Sequence, residues 1–268
     1  MRILVTGPRG FVGSRIMDAL PGAIAAPSLR NMEEKDVQRL AAETAPDVII
    51  HTAAISDIGI CERNPEASFR ANVEIPLWLA KTGAKTLLFS TDQVYSGCAG
   101  EGPYPENETA PANLYARHKL EMEQRVLDAN PDAVLLRATW MYDMPRYGSP
   151  NRGNFLVNML KAAGGAAEYS AAQYRGITYV REVAEKTVEA IRLPGGVYNF
   201  GSENDRGMLD TASFLAKALQ LPIRLSDCGP RHNLWMNCQK LRLSGICFDS
   251  TIDGLRRCIR DYALGKAE

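Results

Sequence analysis

The sequence predicts a protein of the α/β class, built on a doubly wound parallel sheet with a small second lobe toward the C-terminus. Up to Tyr142, short apolar segments suited to buried strands alternate with amphipathic segments suited to helices, a pattern typical of βαβ units. The first strand runs directly into a glycine-rich turn. From residue 143 to 153 the alternation gives way to Pro, Gly, Arg and Asn, which predicts a passage into another lobe.

Composition narrows the class of function. The 268 residues carry 31 basic and 31 acidic side chains, so no overall charge attracts nucleic acid or an anionic membrane. Apolar runs are strand-length, shorter than the roughly 20 residues that span a bilayer, and the chain opens on a strand rather than a signal peptide. The six cysteines form no C-x-x-C pair, which argues against a metal site. We therefore expect a cytoplasmic protein with reduced thiols and no nucleic-acid or membrane partner.

The glycine-rich turn has the spacing T-G-x-x-G-x-x-G over residues 6–13, directly after the apolar run 3–5. Glycines allow the backbone to turn sharply, to approach a phosphate and to pack closely on a sheet. The amides of a helix that begins near Phe11 would favour a bound pyrophosphate. A tight turn without a ligand is the alternative, but the position after the first strand favours a Rossmann-type dinucleotide site. Its predicted contacts are Gly7, Arg9, Gly10, Phe11, Val12 and Gly13.

The end of the second strand decides between NAD and NADP. We predict a helix over 11–20, ended by Pro-Gly, and a weak strand over 23–27. An acidic residue after that strand would bind the ribose hydroxyls and favour NAD, but residues 26–31 contain none. Ser28, Arg30 and Arg9 would instead meet a 2′-phosphate. The sequence therefore favours NADP, with NAD as the alternative.

The remaining elements follow the same alternation. Small residues after the third strand, Ala53 and Ala54, would let a cofactor pass closely. Helices are predicted over 33–44, 66–82, 113–129, 154–163, 181–192 and 211–219, and strands over 48–51, 85–89, 133–137, 197–200 and 222–225. We predict two domains. The dinucleotide-binding domain comprises residues 1–142 together with 176–202, where the chain returns to it. The smaller substrate-binding lobe comprises residues 143–175 and 203–268.

A tyrosine and a lysine form the candidate catalytic pair. Tyr115 and Lys119 are four residues apart on a predicted helix, so both side chains lie on one face. A nearby ammonium would lower the phenol pKa from its usual value of about 10 and so aid proton exchange. Such pairs are common by chance. Here the pair follows both the glycine turn and a strand that ends in Ser90 and Thr91, and that order is specific.

These motifs together resemble the extended short-chain dehydrogenase/reductase family over nearly the whole chain. The resemblance implies that Thr91 polarises a substrate oxygen and that Tyr115 exchanges its proton. It implies that Lys119 bonds the nicotinamide ribose and tunes Tyr115. Asn72 sits where the family keeps a structural asparagine, and we group it with the cofactor-binding residues.

Within this family, the chain is most similar to the dTDP-4-dehydrorhamnose reductase branch. Residues 90–97 resemble S-T-D-x-V-[FY]-x-G, 137–142 resemble R-x-S-W-x-Y, and 173–178 resemble Q-x-G-x-P-T. Arg175 and Ile177 depart from the last motif, where the branch prefers Gly and Pro. The resemblance implies reduction of a nucleotide-linked 4-keto sugar. The implied substrate contacts are Trp140, Asn154, Gln173 and Arg231.

Two other functions remain open on the sequence. The same fold serves NAD-retaining sugar-nucleotide epimerases and dehydratases, although Asp92-Gln93 lacks the Asp-Glu pair that a dehydratase usually adds. A relative of the branch is the NADP-binding regulatory subunit of methionine adenosyltransferase, which is not an enzyme of this kind. Thr91, Tyr115 and Lys119 favour an enzyme. By family analogy we expect a homodimer.

Overall fold

The computed structural model describes residues 1–146 and 153–265. In chain order the strands are β1 (Ile3–Thr6), β2 (Ile24–Ala25), β3 (Val48–His51), β4 (Lys85–Thr91), β5 (Val134–Ala138), β6 (Trp140–Tyr142), β7 (Ala166–Tyr169), β8 (Ile177–Tyr179), β9 (Gly196–Phe200) and β10 (Arg224–Asp227). The helices are α1 (Phe11–Ala19), α2 (Glu34–Thr44), α3 (Ile58–Arg63), α4 (Pro65–Phe69), α5 (Ile75–Ala80), α6 (Leu114–Ala129), α7 (Phe155–Lys161), α8 (Val180–Ala190), α9 (Met208–Ala218), α10 (Gln239–Leu243) and α11 (Thr251–Asp261). None of them is long and apolar enough to cross a membrane.

The central sheet has six parallel strands in the order β2-β1-β3-β4-β5-β9. The chain moves outward from β1 to β2 and then returns to place β3 on the other side of β1. The carboxyl ends of β1 and β3 therefore flank the crevice at which open parallel sheets bind ligands. The predicted doubly wound sheet is confirmed, and its strand order places the glycine turn at this crevice.

Helices cover both faces of the sheet, which explains why the strands are continuous apolar runs. On one face, Ile16 of α1 and Val183 of α8 pack against Val5 and Ile50. On the other face, helices α2, α5 and α6 pack against the alternate strand residues, among them Leu4. Because successive strand residues point to opposite faces, a single apolar run fills the apolar layers on both sides of the sheet.

A second core lies beside the carboxyl edge of the sheet. It joins Tyr142 and Tyr179, from the short parallel pair β6–β8, to apolar residues of α7, α9 and α11. Another two-stranded ladder, β7–β10, flanks it. Helix α11 is tied to the pair through Thr251, whose hydroxyl accepts a hydrogen bond from the Ile177 amide at 3.1 Å.

The structure corrects several predicted elements. The predicted helix over 66–82 is α4 and α5 joined by a π-helical segment, Arg70–Glu74. The lobe strand lies at Arg224–Asp227, two residues later than predicted. Strands β6, β7 and β8 and helices α3, α10 and α11 were not predicted, since most of these elements are too short to show a periodicity. The predicted passage over 143–153 lies partly outside the described residues.

Candidate active site

The glycine turn is built by backbone constraints at each of its glycines. Gly7 has φ +65°, in the left-handed region that favours glycine. Its carbonyl accepts a hydrogen bond from the Gly10 amide at 2.9 Å. Gly10 precedes α1 without a side-chain cap, so the amides of the first turn have no side-chain partner there. A Cβ on Gly13 would lie 2.1 Å from the Gly7 carbonyl oxygen. Gly13 therefore packs beneath the turn and does not line the cleft, in contrast to the expected contact.

Two cavities meet at this turn. The inner cavity, of about 560 Å³, extends from the turn to the end of β4 and to α6. The outer cavity, of about 1030 Å³, extends from the turn to the end of β2. Gly7, Gly10, Ala53 and Ala54 line both, so an elongated ligand can cross the turn between them. Phe11 and Val12 line only the inner cavity.

Thr91, Tyr115 and Lys119 converge in the inner cavity, and all three are buried. The Asn113 side chain caps α6 by accepting a hydrogen bond from the Ala116 amide at 2.9 Å, which fixes the turn that carries Tyr115. The Lys119 ammonium donates to the Phe89 carbonyl oxygen at 2.8 Å. The three side chains come from two elements, β4 and α6, that the sheet places side by side.

Burial sets the protonation states of this group. It raises the pKa of the Tyr115 phenol, and hydrogen bonding to Thr91 opposes that rise. Burial also lowers the pKa of Lys119 to about 8, against the opposing charge of Glu123. The pKa of Tyr115 is therefore raised, not lowered as its spacing from Lys119 predicted, because burial is the largest influence on it. Tyr115 is protonated at neutral pH and is placed as a donor.

A buried ion pair lies directly behind these residues. The Arg137 guanidinium binds Glu123 through two hydrogen bonds, at 3.0 and 2.6 Å, and a further donor reaches the Tyr95 hydroxyl at 2.8 Å. The Ser90 hydroxyl donates to Glu123 at 2.5 Å. This contact assigns Ser90 to the supporting network and leaves Thr91 to face Tyr115. Glu123 lies one helical turn beyond Lys119, a spacing from which its role could have been inferred.

A second ion pair connects the sheet to the lobe inside the inner cavity. Arg175 donates to the Asp92 carboxylate at 2.7 Å, and its guanidinium lies 5.4 Å from the centre of the Trp140 ring. Burial raises the pKa of Asp92, while the Arg175 charge opposes that rise. Neither charged residue was among the predicted site residues.

The outer cavity is lined by backbone, small side chains, leucine and isoleucine side chains, and basic groups. Arg9 and Arg30 are exposed at its wall, next to Ser28. No carboxylate lines the outer cavity among the described residues. Arg70 also lines it, but its guanidinium already bonds the Met32 carbonyl and Glu33. The free positive charges fit a phosphate better than a pair of ribose hydroxyls.

The other predicted site residues fall into two groups. Trp140 and Asn154 line the inner cavity. Asn72 lines neither cavity; its side-chain amide bonds the Ile55 carbonyl at 2.9 Å and accepts from the Ile55 amide at 3.2 Å. It therefore holds the loop after β3 from behind, as a structural asparagine.

Gln173 and Arg231 also line neither cavity, and their contact with a substrate stays a prediction. The Gln173 amide donates to the His232 carbonyl at 3.1 Å, and Arg231 is exposed to solvent. The inner cavity is also lined by residues that were not among the predicted contacts, although three of them fall inside the quoted motifs. These lining residues are Thr52, Ser56, Ile58, Gln93, Met141 and Arg175.

Comparisons with known proteins agree with this geometry. The family model described as the RmlD substrate binding domain matches residues 1–228. The dTDP-4-dehydrorhamnose reductase of Mycolicibacterium smegmatis is 32% identical over 242 residues, which cover 85% of this chain and 72% of that protein. Methionine adenosyltransferase 2 subunit beta of Xenopus laevis is 30% identical over 238 residues, covering 81% and 71%.

A crystal structure of dTDP-4-dehydrorhamnose reductase from Bacillus anthracis in complex with NADP superposes with a TM-score of 0.85. Its identity is 22%, and the superposition covers 97% of this chain and 99% of that one. At that identity the likeness supports the fold. The family model spans most of the chain and includes the glycine turn. The chain belongs to the RmlD substrate-binding-domain family, the dTDP-4-dehydrorhamnose reductase branch of the short-chain dehydrogenases/reductases.

Proposed function

We propose that the protein is an NADPH-dependent reductase of a nucleotide-linked 4-keto sugar. The observation that carries this proposal is the convergence of Thr91, Tyr115 and Lys119 in a cavity that opens onto the glycine turn. The relatives named above include a dTDP-4-dehydrorhamnose reductase. Sheet, turn and buried polar groups together suit transfer of a hydride and a proton to a carbonyl.

The cofactor fits the cleft as the structure shapes it. Gly7 and Gly10 provide a turn without side chains, and Arg9 and Arg30 provide positive charge at the outer cavity. When bound, a reduced nicotinamide would supply a hydride to the carbonyl carbon. Arg9 and Arg30 support NADP over NAD, since each can meet a phosphate dianion.

The chain's own residues complete the reaction. Tyr115, held protonated by burial, donates its proton to the carbonyl oxygen as that oxygen gains negative charge. The Thr91 hydroxyl donates a hydrogen bond to the same oxygen and stabilises the developing alkoxide. Lys119 is charged at neutral pH and stabilises the phenolate that remains until solvent returns the proton. The product is an alcohol at the former carbonyl carbon.

The second lobe would provide the substrate side of the cleft. We propose that 143–175 and 203–268 form the substrate-binding lobe, because Asn154 and Arg175 reach the inner cavity from this part of the chain. Trp140, at its border, would flank the sugar. A homodimer and a cytoplasmic location remain predictions.

The test is reduction of defined substrates by the purified protein. NADPH is mixed with a panel of dTDP- and UDP-linked 4-keto sugars, and loss of reduced-nicotinamide absorbance is followed. We expect turnover of at least one dTDP-linked member and a preference for NADPH over NADH. Binding of NADPH in calorimetry without turnover of any member would contradict the reductase function.

A regulatory function is the second candidate, because the similar relatives include a subunit of methionine adenosyltransferase 2. A complete set of Thr91, Tyr115 and Lys119 supports catalysis instead. Binding of NADPH together with stable capture of a methionine adenosyltransferase, and no reductase activity, would favour the regulatory function.

A further inference from the structure

Arg175 reaches the inner cavity with one of its hydrogen-bond donors unused. Its Nη2 atom donates to Asp92 at 2.7 Å. Its Nε atom is buried and has no hydrogen-bond partner among residues 1–146 and 153–265. A buried donor without an acceptor is unfavourable, and a guanidinium presents its donors in a fixed plane. The unused Nε–H therefore marks a place where a ligand oxygen would be stabilised.

The acceptor of the ion pair lies beside the reacting group. Asp92 follows Thr91 in the chain, and the Thr91 hydroxyl lies 3.4 Å from the Asp92 carboxylate. The Asp92 side chain is 4% exposed and that of Arg175 is 15% exposed. A group held between Nε–H and the carboxylate is consequently a near neighbour of the carbonyl that Thr91 and Tyr115 address.

The charge of this pair restricts what it can bind. Arg175 and Asp92 neutralise each other, so a ligand carboxylate would face Asp92 without a free positive charge to offset the repulsion. A hydroxyl group suits both members, because its oxygen accepts from Nε–H and its proton is donated to the carboxylate. The ring of Trp140 beside the guanidinium adds an apolar wall suited to a sugar face.

We propose that Arg175 and Asp92 form a specificity subsite for a hydroxyl group on the carbon next to the reacting carbonyl. The inference rests on the proposed function and narrows its substrates to α-hydroxy ketones. In a 4-keto-6-deoxy sugar, C3 is the only carbon next to the carbonyl that carries a hydroxyl group. The subsite therefore binds the 3-hydroxyl. Arg175 is the specificity-determining donor, and Asp92 is the acceptor that also orients it.

A merely structural ion pair predicts a different outcome. If Arg175 only tied the lobe to the sheet, its replacement would weaken turnover of every substrate by the same factor. If it reads the hydroxyl, replacement lowers kcat/KM for hydroxylated substrates and spares those without the hydroxyl. The ratio between the two substrates therefore separates recognition from folding.

The experiment compares dTDP-4-dehydrorhamnose with its 3-deoxy analogue in wild type, Arg175→Met and Arg175→Lys. Lysine keeps a positive charge opposite Asp92 but has no Nε–H fork, so it guards against a Met variant that does not fold. We expect wild type to prefer the hydroxylated ketone by at least about tenfold in kcat/KM, and both variants to reduce that ratio to about twofold or less. The matched control is Arg39→Met, which removes an exposed arginine paired to Asp36 at 2.8 Å and should leave the ratio unchanged.

Binding measurements separate this inference from the proposed function. Calorimetric titration with dTDP-L-rhamnose and its 3-deoxy analogue needs no turnover and should show the same preference. Equal kcat/KM for both ketones in wild type, or a ratio unchanged by both Arg175 variants, would overturn the subsite while leaving the reductase function intact. Absence of both turnover and binding in wild type would overturn the two proposals together.

Discussion

The inner and outer cavities share the glycine turn but are lined by different kinds of chemical groups. The inner cavity contains buried charged groups, among them Lys119 and Asp92, and the Glu123–Arg137 pair lies directly behind it. The outer cavity is made of backbone, small and branched apolar side chains, and guanidinium groups that are exposed or half-buried. Burial shifts the pKa values of Lys119 and Asp92, and buried charges hold fixed positions, as chemistry requires. Exposed charges contribute modestly and can be removed singly. Substitutions should therefore have large effects in the inner cavity and graded effects in the outer one.

The largest effect is expected from Tyr115→Phe. Removing the phenol proton eliminates the placed donor, and general acid catalysis is worth roughly 10²- to 10⁴-fold. We expect kcat to fall by that factor while NADPH affinity, measured by calorimetry, stays unchanged. Tyr198→Phe is the control, since that hydroxyl bonds the Pro194 carbonyl and lines neither cavity. Retention of kcat by Tyr115→Phe would assign the proton to another donor.

The pH dependence should report the buried lysine. Because the pKa of Lys119 is lowered to about 8, its ammonium form is lost as the pH rises through that value. We expect kcat/KM to fall by about tenfold per pH unit above it. The folded state disfavours the charged form, so this group's contribution to stability improves as the pH rises from about 8 toward 10.5.

The pH dependence of activity and the pH dependence of Tm together distinguish a loss of catalysis from unfolding. Activity should decline above pH 8 with no matching fall in Tm attributable to Lys119. A pH–rate profile that stays flat well above that value would show that the lysine charge is not needed.

Gly13→Ala should affect both cavities through the shared turn. Its Cβ would lie 2.1 Å from the Gly7 carbonyl, so the backbone must move, at a cost of about 1–3 kcal/mol in stability. We expect a lower Tm and NADPH binding weakened by about tenfold. Gly165→Ala is the matched control, because its Cβ would lie 3.5 Å from the nearest atom. An unchanged Tm and an unchanged NADPH affinity would mean that the turn accommodates the added methyl group without loss of stability or binding.

The smallest effect is expected at the outer cavity. Arg30→Ala removes one exposed charge and should raise the KM for NADPH by a few-fold to about tenfold, leaving that for NADH unchanged. Arg224→Ala, an exposed arginine on β10, serves as control. Equal effects of Arg30→Ala on both cofactors would remove Arg30 from 2′-phosphate recognition.

The parts of the molecule that could be predicted from the sequence are those with a local residue pattern. The run Ile3-Leu4-Val5 before the glycines predicted β1 and the turn, and the four-residue spacing of Tyr115 and Lys119 predicted their shared helix face. The binding and catalytic roles of these residues remain predictions.

Contacts between distant segments were not predicted. Asp92 and Arg175 are 83 residues apart, and no spacing rule connects them. Gln173 turns its amide toward the His232 carbonyl instead of the cavity, a choice that depends on a neighbour 59 residues away. Helix α11 did carry a local signal that was overlooked: Ser250 caps it, and Ile252, Leu255 and Cys258 recur every third residue.

Helix α11 also has a consequence for how the molecule matures. Strands β1 to β5, with the glycine turn, leave the ribosome long before residues 251–261 are made. Those residues supply Leu255 and Cys258 to the second core and the Thr251 hydroxyl to the Ile177 amide. A nascent chain stalled before α11 would thus hold a formed glycine turn beside an incomplete second core. The two parts of the molecule should therefore become folded at different moments of synthesis.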